Sequence, residues 1–184
     1  MTRSLPLLAL SGVFALTLAL QGQQAPAPSC DPGNGGLTLP PGFCAQVIAD
    51  NLGAARNLAV AANGDLYISI RTGNRVPGQP VPPGFILGLR DTTGDGKMDR
   101  VERFGATGAT GIVLRGGYLY YATPTSVERF KMTPGELVPA GPAEVVVGGF
   151  PDQRGHRDKD LAFDDQGSLF VTVGLPSNAC AEPD

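Results

Sequence analysis

The feature of this sequence that most constrains its fold is a short apolar hairpin that occurs three times at nearly constant spacing. In each copy an apolar segment leads through a polar, glycine-containing turn to a second segment rich in apolar and aromatic residues. The copies are residues 58–69, 112–122 and 161–172. Their turn glycines, Gly64, Gly117 and Gly167, repeat at intervals of 53 and 50 residues. A period near 50 residues made of short strands is typical of a β-propeller with one blade of about four strands per repeat.

Composition and local pattern support this all-β interpretation. The 184 residues include 26 glycines and 17 prolines, scattered without a three-residue period, as many turns require. Asn63-Gly64 in the first repeat suits a type I′ turn, because both residues tolerate positive φ. Further strands are predicted over residues 42–49, 85–90, 100–104, 126–131 and 143–147. The third repeat begins shortly before residue 184, so we expect the first two to three blades of a longer propeller.

The N-terminus has the pattern of a secretory signal peptide. Arg3 supplies a positive start, and residues 5–20 form an apolar run that is short for a membrane span and has no basic flank after it. An uncleaved membrane anchor is the alternative. We expect a signal peptide over residues 1–22, a Pro/Gly-rich linker over 23–36 and a partial propeller over 37–184. The protein is then periplasmic or secreted, with no stable membrane span after cleavage.

The three cysteines fit an exported chain, since disulfides persist in oxidising compartments. Cys30 and Cys44 flank a Gly/Pro-rich segment and could form a bridge. In the chain-entropy model such a loop stabilises the fold by about 3 kcal/mol. Cys180 has no partner left, which indicates a free thiol or, as we favour, a partner beyond Asp184.

The charge balance argues against a nucleic-acid partner. The net charge is −3, and no run of Lys or Arg occurs beside aromatic residues. Hydrophobic residues make up 42% and charged residues 17% of the chain, which indicates a folded domain.

Residues 91–102 match the spacing of a twelve-residue calcium loop. Oxygen-bearing side chains occupy the ligand positions, and Gly96 stands at the sharp turn. The candidate ligands are Asp91, Thr93, Asp95, Asp99 and Glu102. No helix is predicted on either side, and Asp and Gly are also the residues of a polar hairpin turn. A calcium site and a purely structural turn are both open.

His156 is the chain's single histidine and lies in a charged segment, residues 154–160. Imidazole is well suited to accept a proton near neutral pH, and a solvated loop histidine is the alternative. In a propeller, the segments that lead into the innermost strands lie on one face near the central channel. Those lead-in segments, residues 55–57, 109–111 and 155–159, are therefore expected to converge, as binding loops on a rigid scaffold do.

Several of these segments resemble the soluble quinoprotein (PQQ-dependent) glucose/sorbosone dehydrogenase family, in its sorbosone-dehydrogenase-like branch. The most specific part runs from His156 through the third hairpin to Cys180. Three earlier pieces share the likeness, residues 39–43, 57–67 and 94–96, so that it covers residues 37–184.

The resemblance implies a six-bladed propeller that binds pyrroloquinoline quinone (PQQ), with calcium holding the quinone. It implies that His156 is the general base toward a sugar or a related alcohol or aldehyde, with hydride passing to the quinone. Arg157 and Asn178 are the weaker candidates for the cofactor pocket. The 184-residue stretch alone is expected to be inactive. Two alternatives remain open: a non-catalytic extracytoplasmic propeller that acts as a binding module, and a calcium-dependent propeller hydrolase.

Overall fold

The computed structural model describes residues 29–73, 77–106, 108, 110–153 and 156–175. The predicted signal peptide, Asn178 and Cys180 lie outside the described residues. Within these ranges the chain is all-β, with a single 3₁₀ turn at Pro32–Gly36 and no α-helix. The described part contains no helix with the length and hydropathy that a membrane span needs.

The strands form three successive antiparallel sheets, each built from strands that are consecutive along the chain. Blade 1 contains β1 (Ala55–Val60), β2 (Leu66–Ile70), β3 (Phe85–Arg90) and β4 (Arg100–Phe104). Blade 2 contains β5 (Ile112–Arg115), β6 (Tyr118–Ala122), β7 (Ser126–Lys131) and β8 (Glu144–Gly148). The third blade begins with the hairpin of β9 (Leu161–Phe163) and β10 (Leu169–Val171). Two four-stranded meanders and a hairpin are the arrangement that the three sequence repeats predict for a propeller.

Blades 1 and 2 pack against each other through an aromatic core. Tyr67 and Ile86 of blade 1 and Leu119, Tyr121 and Phe130 of blade 2 are all at most 5% exposed. The rings of Tyr121 and Phe130 stack with centroids 5.3 Å apart. Burying each such side chain stabilises the fold by about 2 kcal/mol, so this face joins the two sheets into one body.

The turns of the first and second repeat hairpins differ from each other, and the first differs from its prediction. Gly64 has φ 90°, but Asn63 is not among the residues of positive φ, so this turn is not type I′. The Asn63 side chain instead accepts a hydrogen bond from the amide of Asp65 (3.3 Å), an alternative that a longer loop allows. Gly116 and Gly117, with φ 57° and 79°, join directly paired strands and adopt the type I′ geometry.

The segment before blade 1 is held by the Cys30–Cys44 disulfide, with the Cα atoms 5.6 Å apart, which confirms this pairing. The strand predicted over residues 42–49 does not form. Its backbone bonds to the N-terminal turn instead: the amide of Val47 donates to the Asp31 carboxylate (2.7 Å) and the amide of Ala45 to the Asn34 side chain (3.2 Å). Ile48 then packs on the outer face of blade 1.

Candidate functional site

The lead-in segments of the three blades meet at one end of the sheets, as the sequence predicted. Arg56 and Asn57 of blade 1 contact the segment that precedes β9: Arg56 donates to the Asp158 carboxylate (2.5 Å) and Asn57 to the Asp160 carboxylate (2.5 Å). These contacts join residues more than 100 positions apart in the chain. The innermost strands of blade 1 and the third blade therefore approach each other around a common axis.

Thr110, which leads into β5, forms the seat of the same segment on blade 2. Its hydroxyl donates to the carbonyl of Lys159 (2.9 Å) and accepts from the amide of Lys159 (2.9 Å). The amide of Gly111 donates to the same carbonyl (2.7 Å). Gly111 is required by this close approach, because a Cβ there would lie 2.5 Å from the Lys159 carbonyl oxygen and 2.9 Å from the Cα of Asp160.

Asp158 lies between two arginines of blade 1. Its Oδ2 atom is 2.5 Å from Arg56 Nη2 and 3.6 Å from Arg71 Nη1. Arg71 follows β2 and reaches the site from the second strand of the blade. The Oδ1 of Asp158 and the Nε of Arg71 are buried and have no hydrogen-bond partner among the described residues. The ion-pair cluster therefore has hydrogen-bonding capacity that the described residues do not use.

His156 lies at a cleft of about 590 Å³ beside this ion-pair cluster. The cleft is lined by Arg71, His156, Arg157, Asp158, Thr172, Val173 and Gly174. His156 is exposed, and its backbone has φ 47°, a left-handed conformation that is uncommon for a non-glycine residue. This volume falls within the usual range for small-molecule sites.

The other predicted cofactor residues have different positions. Arg157 lines the cleft, and its guanidinium lies 3.5 Å from the Asp152 carboxylate at an exposed position. Asn178 lies outside the described residues.

The carboxylates of the predicted calcium loop are engaged with their own backbone. Asp91 accepts hydrogen bonds from the amides of Thr93 (3.0 Å), Gly94 (2.6 Å) and Gly96 (2.7 Å). These bonds, that from Gly96 above all, lower the pKa of Asp91 below 3.8.

The remaining acids of the loop are also bonded locally. Asp99 accepts from the amide and hydroxyl of Thr92, which lowers its pKa, and Asp95 accepts from the amide of Lys97. Glu102, on β4, pairs with Arg100 (2.8 Å). Among the described residues no three His, Cys, Asp or Glu side chains lie close enough to hold a metal ion. The calcium site stays a prediction.

Four residues of the cleft region were missed by the sequence analysis: Arg71, Asp158, Lys159 and Gly174. Asp158 and Lys159 belong to the charged segment around His156, but the sequence does not reveal which of its side chains cross to another blade. For Arg71, the sequence does contain a feature that could have identified it. It is the first charged residue after the buried strand β2, at the strand end that faces the lead-in segments.

Comparison with known proteins supports the fold. No family model matches this chain, and no curated protein matches it. The PQQ domain of a pyranose dehydrogenase from Coprinopsis cinerea superposes with a TM-score of 0.57 at 12% identity over 71% of this chain. A calcium structure of a Trichoderma reesei enzyme of carbohydrate-active family AA12 superposes with a TM-score of 0.56 at 19% identity over 72% of it.

Both solved structures are longer than the part that matches this chain. The matches cover 30% and 32% of those two chains, so the present chain spans about a third of the length of the solved structures. At such identities the match shows the fold: an all-β propeller of the kind found in PQQ domains, of which this chain covers part.

Proposed function

We propose that this chain belongs to an exported PQQ-dependent dehydrogenase that oxidises a sugar or a related alcohol or aldehyde. The observation that carries the proposal is the cleft at the lead-in segments, where His156 stands beside Arg71 and Arg157. A proton acceptor beside fixed cations is the arrangement that alcohol oxidation with an anionic cofactor needs. The propeller fold shared with a PQQ domain adds independent support.

The residues of the cleft fit the chemistry of the cofactor. PQQ is a planar quinone with carboxylate groups, and arginine guanidinium groups bind carboxylates through paired, directional hydrogen bonds. Arg71 has a buried Nε without a partner among the described residues, and Arg157 has only a long, exposed pairing with Asp152. Arg71 and Arg157 would therefore hold carboxylates of the quinone, and we keep Asn178 as a third candidate. When bound, the quinone supplies the acceptor for a hydride from the substrate carbon.

The chain's own residues would handle the proton and the substrate. His156 would accept the proton of the reacting hydroxyl, since neutral imidazole is a base of suitable strength near neutral pH. Asp158, held between Arg56 and Arg71, would keep the two guanidinium groups in place as a fixed counter-charge. The substrate hydroxyl would have to lie within hydrogen-bond reach of the imidazole, in the space bounded by Thr172 and Gly174.

The test uses protein expressed from the complete reading frame that contains this chain, loaded with PQQ and calcium. Dye reduction is followed with a panel of aldoses, aldehydes and alcohols. His156→Ala is expected to lower kcat by about 10²- to 10⁴-fold, whereas Lys131→Ala, on an exposed position of β7, is expected to leave it unchanged. Quinone binding measured by absorbance should survive in His156→Ala and weaken in Arg71→Gln.

Other results would redirect the assignment. A protein that neither binds PQQ nor oxidises any of these compounds, yet retains a sugar or another ligand in the cleft, would be a binding module. Turnover that requires calcium and ignores the quinone would indicate a hydrolase. Full dehydrogenase activity in His156→Ala would remove this residue from the reaction.

A further inference from the structure

The backbone of His156 is held in a strained conformation. Its φ of 47° lies in the left-handed region, where a non-glycine residue costs free energy relative to the common conformations. Such a conformation persists only where the surrounding structure fixes it, and it determines the direction in which the side chain leaves the backbone. The contacts around His156 therefore determine where the imidazole stands in the cleft.

Gly174 restricts His156 from one side. A Cβ at Gly174 would lie 2.5 Å from the carbonyl oxygen of His156 and 2.7 Å from its Cβ, so only glycine allows the two backbones to approach this closely. Gly174 is itself anchored, because the side-chain amide of Gln153 donates to its carbonyl (2.7 Å). The strand end after β10 thus forms a wall against the histidine.

Lys159 restricts the same turn through the next residue. Its side chain is fully buried, and its ammonium donates to the carbonyl of Arg157 (3.2 Å), the residue that follows His156. The ring of Phe150 lies 5.7 Å from the Nζ. None of the salt bridges among the described residues includes Lys159.

Burying an ammonium without a carboxylate partner among the described residues costs free energy. Packing alone does not require a charged side chain at this position. Burial and the neighbouring charge of Arg157 lower the pKa of Lys159, against the opposite influence of Asp152 and Asp158. The one hydrogen bond that the amine donates within the described chain is therefore the contact that accounts for its position.

We infer that Lys159 and Gly174 are positioning residues that hold the His156 turn between them and so set the imidazole direction. The inference rests on the proposed function only for its effect on turnover. The placement of His156 can be measured without any reaction.

The test uses protein from the complete reading frame, labelled with ¹³C at histidine. The His156 signal is the Cε1–H cross-peak that His156→Gln removes. Lys159→Met retains the length of the side chain without the ammonium, and Gly174→Ala adds a methyl group against His156. Ser69→Ala is the matched control, because it removes a buried hydroxyl that accepts from the amide of Asn57 and donates to the carbonyl of Thr110, at the junction of blades 1 and 2, without a bond to Lys159. Lys159→Arg restores a charged donor.

We expect Lys159→Met and Gly174→Ala to shift or broaden the His156 cross-peak. In the quinone-loaded enzyme both should lower kcat about ten- to a hundredfold with a much smaller change in KM, as a misplaced base does. Lys159→Arg should return the cross-peak toward its original position. Ser69→Ala should lower Tm and leave the cross-peak unmoved.

The opposite pattern overturns the inference. If the cross-peak stays in place in Lys159→Met while Tm falls as in Ser69→Ala, the amine serves only the junction between blades. If Lys159→Met does not fold, an unmoved cross-peak in Gly174→Ala decides against the inference. A moved cross-peak in a protein whose His156→Gln variant still turns over would uphold the positioning and reject His156 as the base of the proposed reaction.

Discussion

Residues 91–99 and 156–160 are two charged loops that use their side chains in different ways. In the first loop Asp91 and Asp99 accept hydrogen bonds from groups at most seven residues away. In the second loop Asp158 and Asp160 bind Arg56 and Asn57, which lie 102 and 103 residues away. The first loop completes its own turn, and the second joins two blades beside an open cleft.

This difference distinguishes an acidic loop with a structural role from a candidate ligand-binding site. Carboxylates that accept several backbone amides already have much of their hydrogen-bonding capacity used within their own turn, so a ligand competes with those bonds. Charged groups that meet across blades leave atoms such as Arg71 Nε without a partner among the described residues, so their hydrogen-bonding capacity is only partly used within the chain. The tests of this contrast therefore disturb one of the two loops at a time.

The largest effect is expected from Gly111→Ala, which disturbs the close backbone contact between Gly111 and the second loop. The new Cβ would overlap the Lys159 carbonyl oxygen and the Cα of Asp160, both backbone atoms that cannot step aside. We expect the free energy of unfolding to fall by about 2 kcal/mol, measured by chemical denaturation. Gly141→Ala is the control, because nothing lies within 4 Å of its added Cβ. Equal stability of the two variants would mean that the close approach at Gly111 is not a real constraint.

A smaller loss is expected from Asp158→Asn, which weakens the contact between blade 1 and the third blade. The side chains of the pair are 30% and 43% exposed, so solvent screens the attraction and the loss should be about 1 kcal/mol. Glu102→Gln, which breaks an exposed pair within one strand, should change stability by close to zero. A comparable loss in both variants would show that the contact across blades has no special weight.

Alkaline pH is expected to act on the second loop through Lys159. Its pKa in the folded protein lies below the ordinary 10.5, chiefly because of burial and then because of Arg157. Between the folded pKa and 10.5 the unfolded chain binds more protons, so the free energy of unfolding should rise with pH in this window. Denaturation between about pH 8 and pH 10 should show this rise in the wild type relative to Lys159→Met. Parallel curves for the two proteins would contradict the lowered pKa.

Acid is expected to act on the first loop and to have a local effect. The pKa of Asp91 is lowered, first by the amide of Gly96 and then by those of Gly94 and Thr93. Its stabilising bonds are therefore present above pH 3.8 and are lost as pH falls through the folded pKa. The amide signals of Gly94 and Gly96 should titrate below pH 3.8, and Asp91→Asn should remove that transition. A midpoint at or above 3.8 would contradict the bonding described for Asp91.

Calcium provides the smallest and most specific test of the first loop. Binding at Asp91 would change the amide bonds that this carboxylate accepts, so the Gly94 and Gly96 signals should shift with half-saturation at about 0.1–1 mM calcium, as in weak extracellular sites. Asp91→Asn should abolish the shift, and Asp165→Asn, in the turn between β9 and β10, should not. Signals unmoved at about 10 mM calcium would leave the loop as a structural turn only.

The repeats predicted most of the sheets, because period and turn residues are local properties of the chain. Most strands form within a few residues of their predicted positions, namely those of the three hairpins and β3, β4, β7 and β8. The predicted strand over 42–49 failed because Asp31 and Asn34 bind its backbone, a contact that alternation of residue type does not encode. The convergence of the lead-in segments followed from propeller geometry. The roles of Arg71 and Lys159 depend on burial between blades, which no local pattern contains.

The Arg56–Asp158 pair also has a mechanical meaning. Successive blades follow an arc, and this pair joins the first blade to the third as a chord across that arc. Because Asp158 also lines the histidine cleft, a change in the angle between these two blades would alter the cleft at that residue.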